Sequence, residues 1–256
     1  MSEHKTFTTA KRVELWCAEP IFFASRELSD TYYTEGTIGN YALAYALGWA
    51  RSPYRLTGKD TGKPKYLEDL TPLAEECYLL PAWSTDDQVS FRFERFNALS
   101  DAYWYAMMQN RVATAREDLV THRSGKKPNS FRPSNFPQTG RLRMIERNNR
   151  FQTIIFGDRA LPEYIRVGKF TSKVRVEIVE ELEVESLPMN QYTCNTYLSS
   201  ADLPPNLQML AFDVISIPPV SLIKNLQFYG EAWRVGEFIL PANLQFCGGR
   251  KTISIN

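Results

Sequence analysis

The densest run of chemically active side chains in this sequence is basic. Between Arg123 and Arg150 stand Arg123, Lys126, Lys127, Arg132, Arg141, Arg143, Arg147 and Arg150, opposed by Glu146 alone. This stretch carries +7 in a chain of net charge +1, so the remainder is acidic overall. Arginine and lysine hold phosphate, and flat apolar rings stack on unpaired bases. Phe131 and Phe136 are interleaved with these cations, and prolines at 128, 133 and 137 stiffen the stretch. Stiffening lowers the entropy lost on ordering. The composition fits a grip on nucleic acid; a plain solvated charged loop is the competing reading.

Signatures of other chemistry are missing. There is no Walker A loop, no GxGxxG, no GxSxG and no HExxH. Of the two histidines, His4 lies in a polar lead-in and His122 borders the basic stretch. His122 reads as a solvated loop residue. Its catalytic alternative is a general acid or base for RNA cleavage, with Tyr45, Lys126 and Lys127 as the accompanying set. Such a site needs no metal, because histidine moves protons at neutral pH. The acidic pairs Asp86-Asp87 and Glu68-Asp69 sit in loop-like surroundings. Cys17, Cys77, Cys194 and Cys247 are too far apart in sequence for a metal-ligand motif, and read as free buried thiols of a reducing compartment. Neither a metal nor a cofactor is expected. The N-terminal residues lack an apolar signal core and no apolar run is long enough to span a bilayer. The expectation is a cytoplasmic protein with no membrane partner.

The elements that must position these residues are mostly strands. KRVELWCA alternates, with Val13, Leu15 and Cys17 on one face. Residues 38–49 are apolar nearly all round at helical spacing, which predicts a buried helix capped by Thr37 or Asn40 and ending near Gly48. Residues 51–72 read as a polar insertion loop. Val89, Phe91 and Phe93 alternate in a short strand, and Ala98 to Arg116 reads as a second helix. GRLRMI, then the turn ERNN, then RFQTIIFG predict a hairpin with Arg141 and Arg143 on one face of its first strand. A second hairpin follows: a strand over YIRV, a turn with Gly168 and Lys169, and a strand with Val174, Val176 and Ile178 facing one way. Glu177, Glu180, Glu181, Glu183 and Glu185 make that last strand acidic. Gly248-Gly249-Arg250-Lys251 reads as a plain C-terminal turn.

FFASRE, TEGTIGNYALAYALG, NFPQTGRLRMI and YIRVGKFTSKVRVE occur in this order, and the resemblance they carry covers roughly residues 12 to 180. Together they resemble the Cas-five-like small subunit of type I-D CRISPR interference complexes, one of the RAMP proteins. The resemblance implies an α+β fold: an RRM-like, ferredoxin-type core with an inserted basic thumb or hairpin and a strand-rich C-terminal part. Residues 1–180 would form the core, carrying the basic insertion at about 121–150, and residues 181–256 would pack on it. It implies a non-catalytic subunit that holds the 5′ handle of the CRISPR RNA and caps the foot of the complex. Its partners would be that RNA, the backbone and large subunits, and target DNA indirectly through the complex. A metal-independent ribonuclease that matures the RNA is the alternative. The residues expected to hold RNA are Arg26, Lys126, Lys127, Arg132, Arg141, Arg143, Arg147, Arg150, Lys169 and Lys173.

Overall fold

The computed structural model describes residues 7–28, 31–50, 64–74, 76–97, 104–106, 111–113 and 139–249. Its first strand, β1 (Thr9–Cys17), owes its place to alternation: Val13, Leu15 and Cys17 are buried, and Glu14 and Trp16 between them are half-exposed. Then come β2 (Arg26–Leu28), β3 (Thr31–Tyr33), β4 (Thr37–Ile38), the helices α1 (Asn40–Ala46) and α2 (Tyr66–Leu70), β5 (Tyr78–Leu79) and β6 (Ala82–Ser84). They are followed by β7 (Phe91–Asn97), β8 (Trp104–Ala106), β9 (Arg111–Ala113), β10 (Thr139–Ile145) and β11 (Arg150–Phe156). The remainder is β12 (Tyr164–Val167), β13 (Ser172–Cys194), β14 (Leu198–Ser199), β15 (Gln208–Ile215), β16 (Leu222–Val235) and β17 (Phe238–Pro241).

Eleven of these strands form one sheet, with the path β14-β16-β13-β1-β11-β6-β4. β1 lies between β11 and β13 and runs antiparallel to both. β13 pairs with β1 along its first half and with β16 along its second. A bulge at Val179 separates Ile178, opposite Val13, from Glu180, opposite Arg12. The inner face of this sheet closes over Leu15, Tyr78, Phe151, Phe156, Phe228 and Phe246, all fully buried. A second sheet has the order β2-β3-β10-β7, and β8 and β9 pair by themselves.

This architecture replaces the expected α+β, ferredoxin-type RRM core. That core needs two helices long enough to cover one face of a four-stranded sheet, whereas β1 lies inside a sheet of eleven strands. The described helices are short, seven residues in α1 and five in α2. Ile38, expected in the helix, instead pairs with Ala82 as part of β4. Gly48, at φ +73, ends α1 in a left-handed turn that side chains with a Cβ resist. Thr37 and Asn40 do not cap α1: the Thr37 hydroxyl donates to the Ala82 carbonyl at 2.7 Å and the Asn40 amide to Asp202 at 2.6 Å. The described part of Ala98–Arg116 is strand, not helix, with Trp104 opposite Ala113 in β8 and β9. Trp, Tyr and Val at these positions favour extended backbone. The inserted hairpin also differs, because β10 and β11 do not pair. They are joined by a turn but enter different sheets.

A single carboxylate joins distant parts of this fold. Asp202 is fully buried. It accepts hydrogen bonds from Asn40 Nδ2 (2.6 Å), Tyr41 Oη (2.7 Å), Tyr78 Oη (3.1 Å) and the Cys247 backbone N–H (2.8 Å). Burial pushes its carboxyl up to about 6, while these donors pull the other way. The folded protein therefore binds this proton more tightly than the unfolded chain does. That contribution is complete below the ordinary value of 3.8 and is lost as pH rises through about 6. In urea unfolding, the stability of the parent relative to Asp202→Asn, which cannot titrate, should fall by about 2 kcal/mol between pH 4 and pH 7. A gap that stays flat with pH would assign Asp202 an ordinary carboxylate. Asp202→Ala, which removes the acceptor of four buried hydrogen bonds, should cost about 3 kcal/mol or more.

Candidate nucleic-acid interface

The alternation in TGRLRMI splits β10 into two faces. Leu142 and Met144 are buried against Phe22, Ala24 and Tyr32 in a small core of their own. Arg141 and Arg143 project from the opposite face. Register then decides what stands beside them. One row across the sheet reads Arg26 (β2), Tyr33 (β3), Arg143 (β10), Phe93 (β7). The next row reads Leu28, Thr31, Arg141, Arg95. Four arginines thus share one face, and neither row contains an acid. Glu27 and Glu94 belong to the other face, opposite Tyr32 and Leu142. There Arg92 pairs with Glu94 and lies 3.9 Å from Glu146.

The four arginines are held differently. The Arg26 Nε donates to Glu35 at 2.8 Å. The Arg143 guanidinium lies 3.5 Å from the centre of the Phe91 ring and 5.7 Å from that of Tyr33. These rings fix a cation by their quadrupoles without neutralising it. Arg141 and Arg95 stand directly opposite each other and are both exposed. Like charges in that position repel. A negatively charged group on this face would be attracted by both.

The edge strand β7 is set against β10 by Asn149, which is buried in the turn after β10. Its side chain accepts from the Ser90 N–H (2.9 Å) and donates to the carbonyls of Ser90 (3.0 Å) and Glu146 (2.6 Å). Its backbone carbonyl takes the Cys17 N–H at 3.0 Å, which fixes the same turn to the end of β1. This side chain therefore reinforces the ladder where the start of β7 meets the end of β10, beside the Glu146 N–H to Ser90 carbonyl bond at 2.9 Å.

Of the ten residues expected to hold RNA, Arg26, Arg141 and Arg143 come together on this face. Lys126, Lys127 and Arg132 lie outside the described residues. Arg147 is exposed in the turn after β10. Arg150 belongs to the main sheet, opposite Trp16, and its Nη1 lies 3.2 Å from Glu14. Lys169 and Lys173 flank the β12–β13 turn. Phe170 stacks on Phe22 there, with ring centres 5.1 Å apart, which sets this turn on the back of the small sheet. The backbone N–H groups of Lys169 and Lys173 are occupied, by the Phe22 carbonyl (2.8 Å) and the Glu19 carboxylate (2.7 Å). Burial lowers the Lys169 pKa, and the Lys173 ammonium sits 3.9 Å from the Tyr164 ring centre. Gly168, at φ +77, is required in this turn, because a Cβ would come within 2.7 Å of the Phe22 carbonyl oxygen.

The sequence reading passed over Phe93 and Arg95 as interface residues. The alternation of Phe91, Phe93 and Arg95 was visible, but their place opposite Arg143 and Arg141 depends on a pairing across about fifty residues. The ribonuclease alternative gains little. The Tyr45 hydroxyl donates to Asp69, and burial followed by that contact raises its pKa, away from a general base. His122, Lys126 and Lys127 lie outside the described residues. Among the described residues no cluster of His, Cys, Asp or Glu could hold a metal ion, and no helix is long and apolar enough to cross a membrane. The four cysteines are free and buried, and burial pushes the Cys17 thiol up to about 12. The acidic strand is partly neutralised in place: Glu180 pairs with Arg12 at 2.9 Å and Glu185 with Arg234 at 3.0 Å. Gly248 and Gly249 end a short 3-10 turn over Phe246–Gly249, and Arg250 and Lys251 lie outside the described residues.

Comparison with known proteins places these features in a family. The model of the type I-D CRISPR-associated protein Cas5/Csc1 matches residues 8–249. No curated protein matches the chain. Among solved structures, it is similar to a chain in the cryo-EM structure of the Type III-B Cmr-beta bound to cognate target RNA and AMPPnP. The two share 13% identity over 86% of each chain, at a TM-score of 0.43. It is also similar to a CRISPR protein from Archaeoglobus fulgidus, with 12% identity over 92% of this chain and 98% of that one, at a TM-score of 0.38.

The Asn149 contacts lead to a stability prediction. Asn149→Ala should lower unfolding free energy by about 2–4 kcal/mol, because it removes three side-chain hydrogen bonds made by a buried amide. Chemical denaturation measures this, and a loss below 1 kcal/mol would show that β7 is positioned by other contacts.

Proposed function

The chain belongs to the type I-D CRISPR-associated Cas5/Csc1 family, and on that premise we propose that it is the subunit holding the 5′ handle of the CRISPR RNA, without cutting it. The observation that carries this reading is the pair of rows on the small sheet: four arginines, of which Arg26 is paired with Glu35, and two rings that flank the Arg143 guanidinium. Arginines on paired strands lose less freedom on binding than lysines in a loop, so the phosphate contacts are preorganised. Such contacts hold backbone and leave sequence to guide pairing, which is the general logic of RNA-guided effectors. In this reading the basic residues Lys126, Lys127, Arg132, Arg147 and Arg150 extend the grip toward neighbouring RNA, and Lys169 and Lys173 form a second contact on the back of the sheet. Residues 1–180 form the RNA-holding core with its basic insertion at about 121–150, and residues 181–256 form the strand-rich part packed on it. The backbone and large subunits of the complex are the protein partners, and target DNA is met through them.

The test is binding of the full chain to a labelled RNA with a repeat-derived 5′ handle, against a scrambled control, in EDTA across a salt series. Log affinity should fall with log salt by roughly 0.7 per phosphate contact. Replacing Arg141 and Arg143 together with alanine should weaken binding about tenfold or more and reduce the slope by about 1.4. Unchanged affinity at matched salt would remove this face from the reading. Discrete cleavage in EDTA that disappears in His122→Ala would replace it with the ribonuclease.

A second expectation separates function from stability. Arg95→Gln should weaken RNA binding and leave the protein slightly more stable, because it relieves the repulsion with Arg141. A variant that loses both would make Arg95 a structural residue.

A further inference from the structure

Phe93 is 61% exposed on the edge strand of the small sheet. Leaving a phenyl ring in water forfeits the free energy that its burial would supply. The other two rings on this face are already engaged. Phe91 lies under the Arg143 guanidinium at 3.5 Å, and Tyr33 flanks the same group at 5.7 Å. Among the described residues no ring and no cation is seated on Phe93. It stands directly opposite Arg143 and two residues before Arg95 on the same strand.

We propose that Phe93 is a stacking platform for one unpaired nucleobase, which makes this face selective for single-stranded over duplex RNA. The inference rests on the reading that the face holds RNA. Three features support it. First, the ring is fixed to a strand that is itself paired to β10, so little freedom is lost when a base lies on it. Second, its surroundings are cationic. Arg143 is opposite it, Arg95 is two residues away, and Arg141 is opposite Arg95. An uncharged peptide would bring no anion to Arg95 and Arg143, whereas a nucleotide brings a flat ring and a phosphate together. Third, residues two apart on a strand are separated by about 6.7 Å. That is close to the step between neighbouring phosphates in an extended nucleic-acid strand. A base on Phe93 therefore leaves its flanking phosphates within reach of the arginines. In a duplex the bases are stacked and paired, and none can lie on the ring. Every base has a π-face, so the contact tolerates any sequence.

The experiment compares the parent full chain with Phe93→Ala, Phe93→Trp and Arg141→Ala. The ligands are a single-stranded RNA with a repeat-derived 5′ handle and the same RNA annealed to its complement, each over a salt series. Phe93→Ala should bind the single strand about 5- to 150-fold more weakly. Its salt slope should match the parent, because no phosphate contact is lost. Phe93→Trp should retain parental affinity, and neither substitution should change duplex binding. Arg141→Ala should weaken binding and lower the slope. Thermal melts of both Phe93 variants should overlay the parent, since the ring is exposed. If Arg141→Ala weakens binding but Phe93→Ala does not, the stacking platform is overturned and the RNA-holding face stands. If Phe93→Ala weakens single strand and duplex alike, the ring is a general contact and the selectivity is overturned. If Arg141→Ala binds like the parent, or if the parent binds neither RNA at low salt, the reading of the face fails and the platform fails with it.

Discussion

One buried carboxylate constrains much of this molecule. Asp202 is fully buried, so the protein itself must supply donors, and it draws them from three separate segments of chain. Asn40 and Tyr41 come from the start of α1, Tyr78 from β5, and the N–H of Cys247 from the last described turn. Aromatic rings close over this polar centre: Phe246 contacts both Tyr41 and Tyr78. Burial favours the neutral acid, the donors favour the carboxylate, and burial prevails. The result fixes α1 and the C-terminal turn against the inner face of the main sheet. The order of the sheet carries that rigidity outward, from β5 and β6 to β11, and through the Asn149 turn to β10 and β7.

The site is therefore remote from the interaction that anchors the fold, yet depends on it in steps. The buried face of β10 keeps Leu142 and Met144 against Phe22, and so turns Arg141 and Arg143 outward. The ladders with β3 and β7 then bring Tyr33, Phe93 and Arg95 beside them. No single element contains the site. It exists because three segments far apart in sequence share one register.

This explains what could be seen in the sequence. The alternation of Val13, Leu15 and Cys17, and of Arg141 and Arg143 against Leu142 and Met144, is a local property of a pleated strand and was legible at once. Register is not local. Phe93 and Arg95 looked like part of one more strand until β7 was placed beside β10. The helical pattern of residues 38–49 was real but overruled at its ends, where Ile38 gains a strand partner in Ala82 and Gly48 turns the backbone left-handed. The expected ferredoxin-type core was what the family resemblance implied, and a helix read as too long and β8 and β9 read as another agreed with it. Asp202 gave no signal at all. In SSADLPPN it resembles any aspartate in a surface turn, and only the closed core shows that it is buried.

The continuity of β13 has a mechanical consequence. This strand of 23 residues holds β1 along one stretch and β16 along the next, with Val179 bulged between Ile178 and Glu180. The two parts of the main sheet therefore meet within a strand and not at a seam. A load applied along β13 by neighbouring molecules would act on its ladders lengthwise, in shear, where many hydrogen bonds must yield together. Peeling them apart one by one would need a pull across the strand.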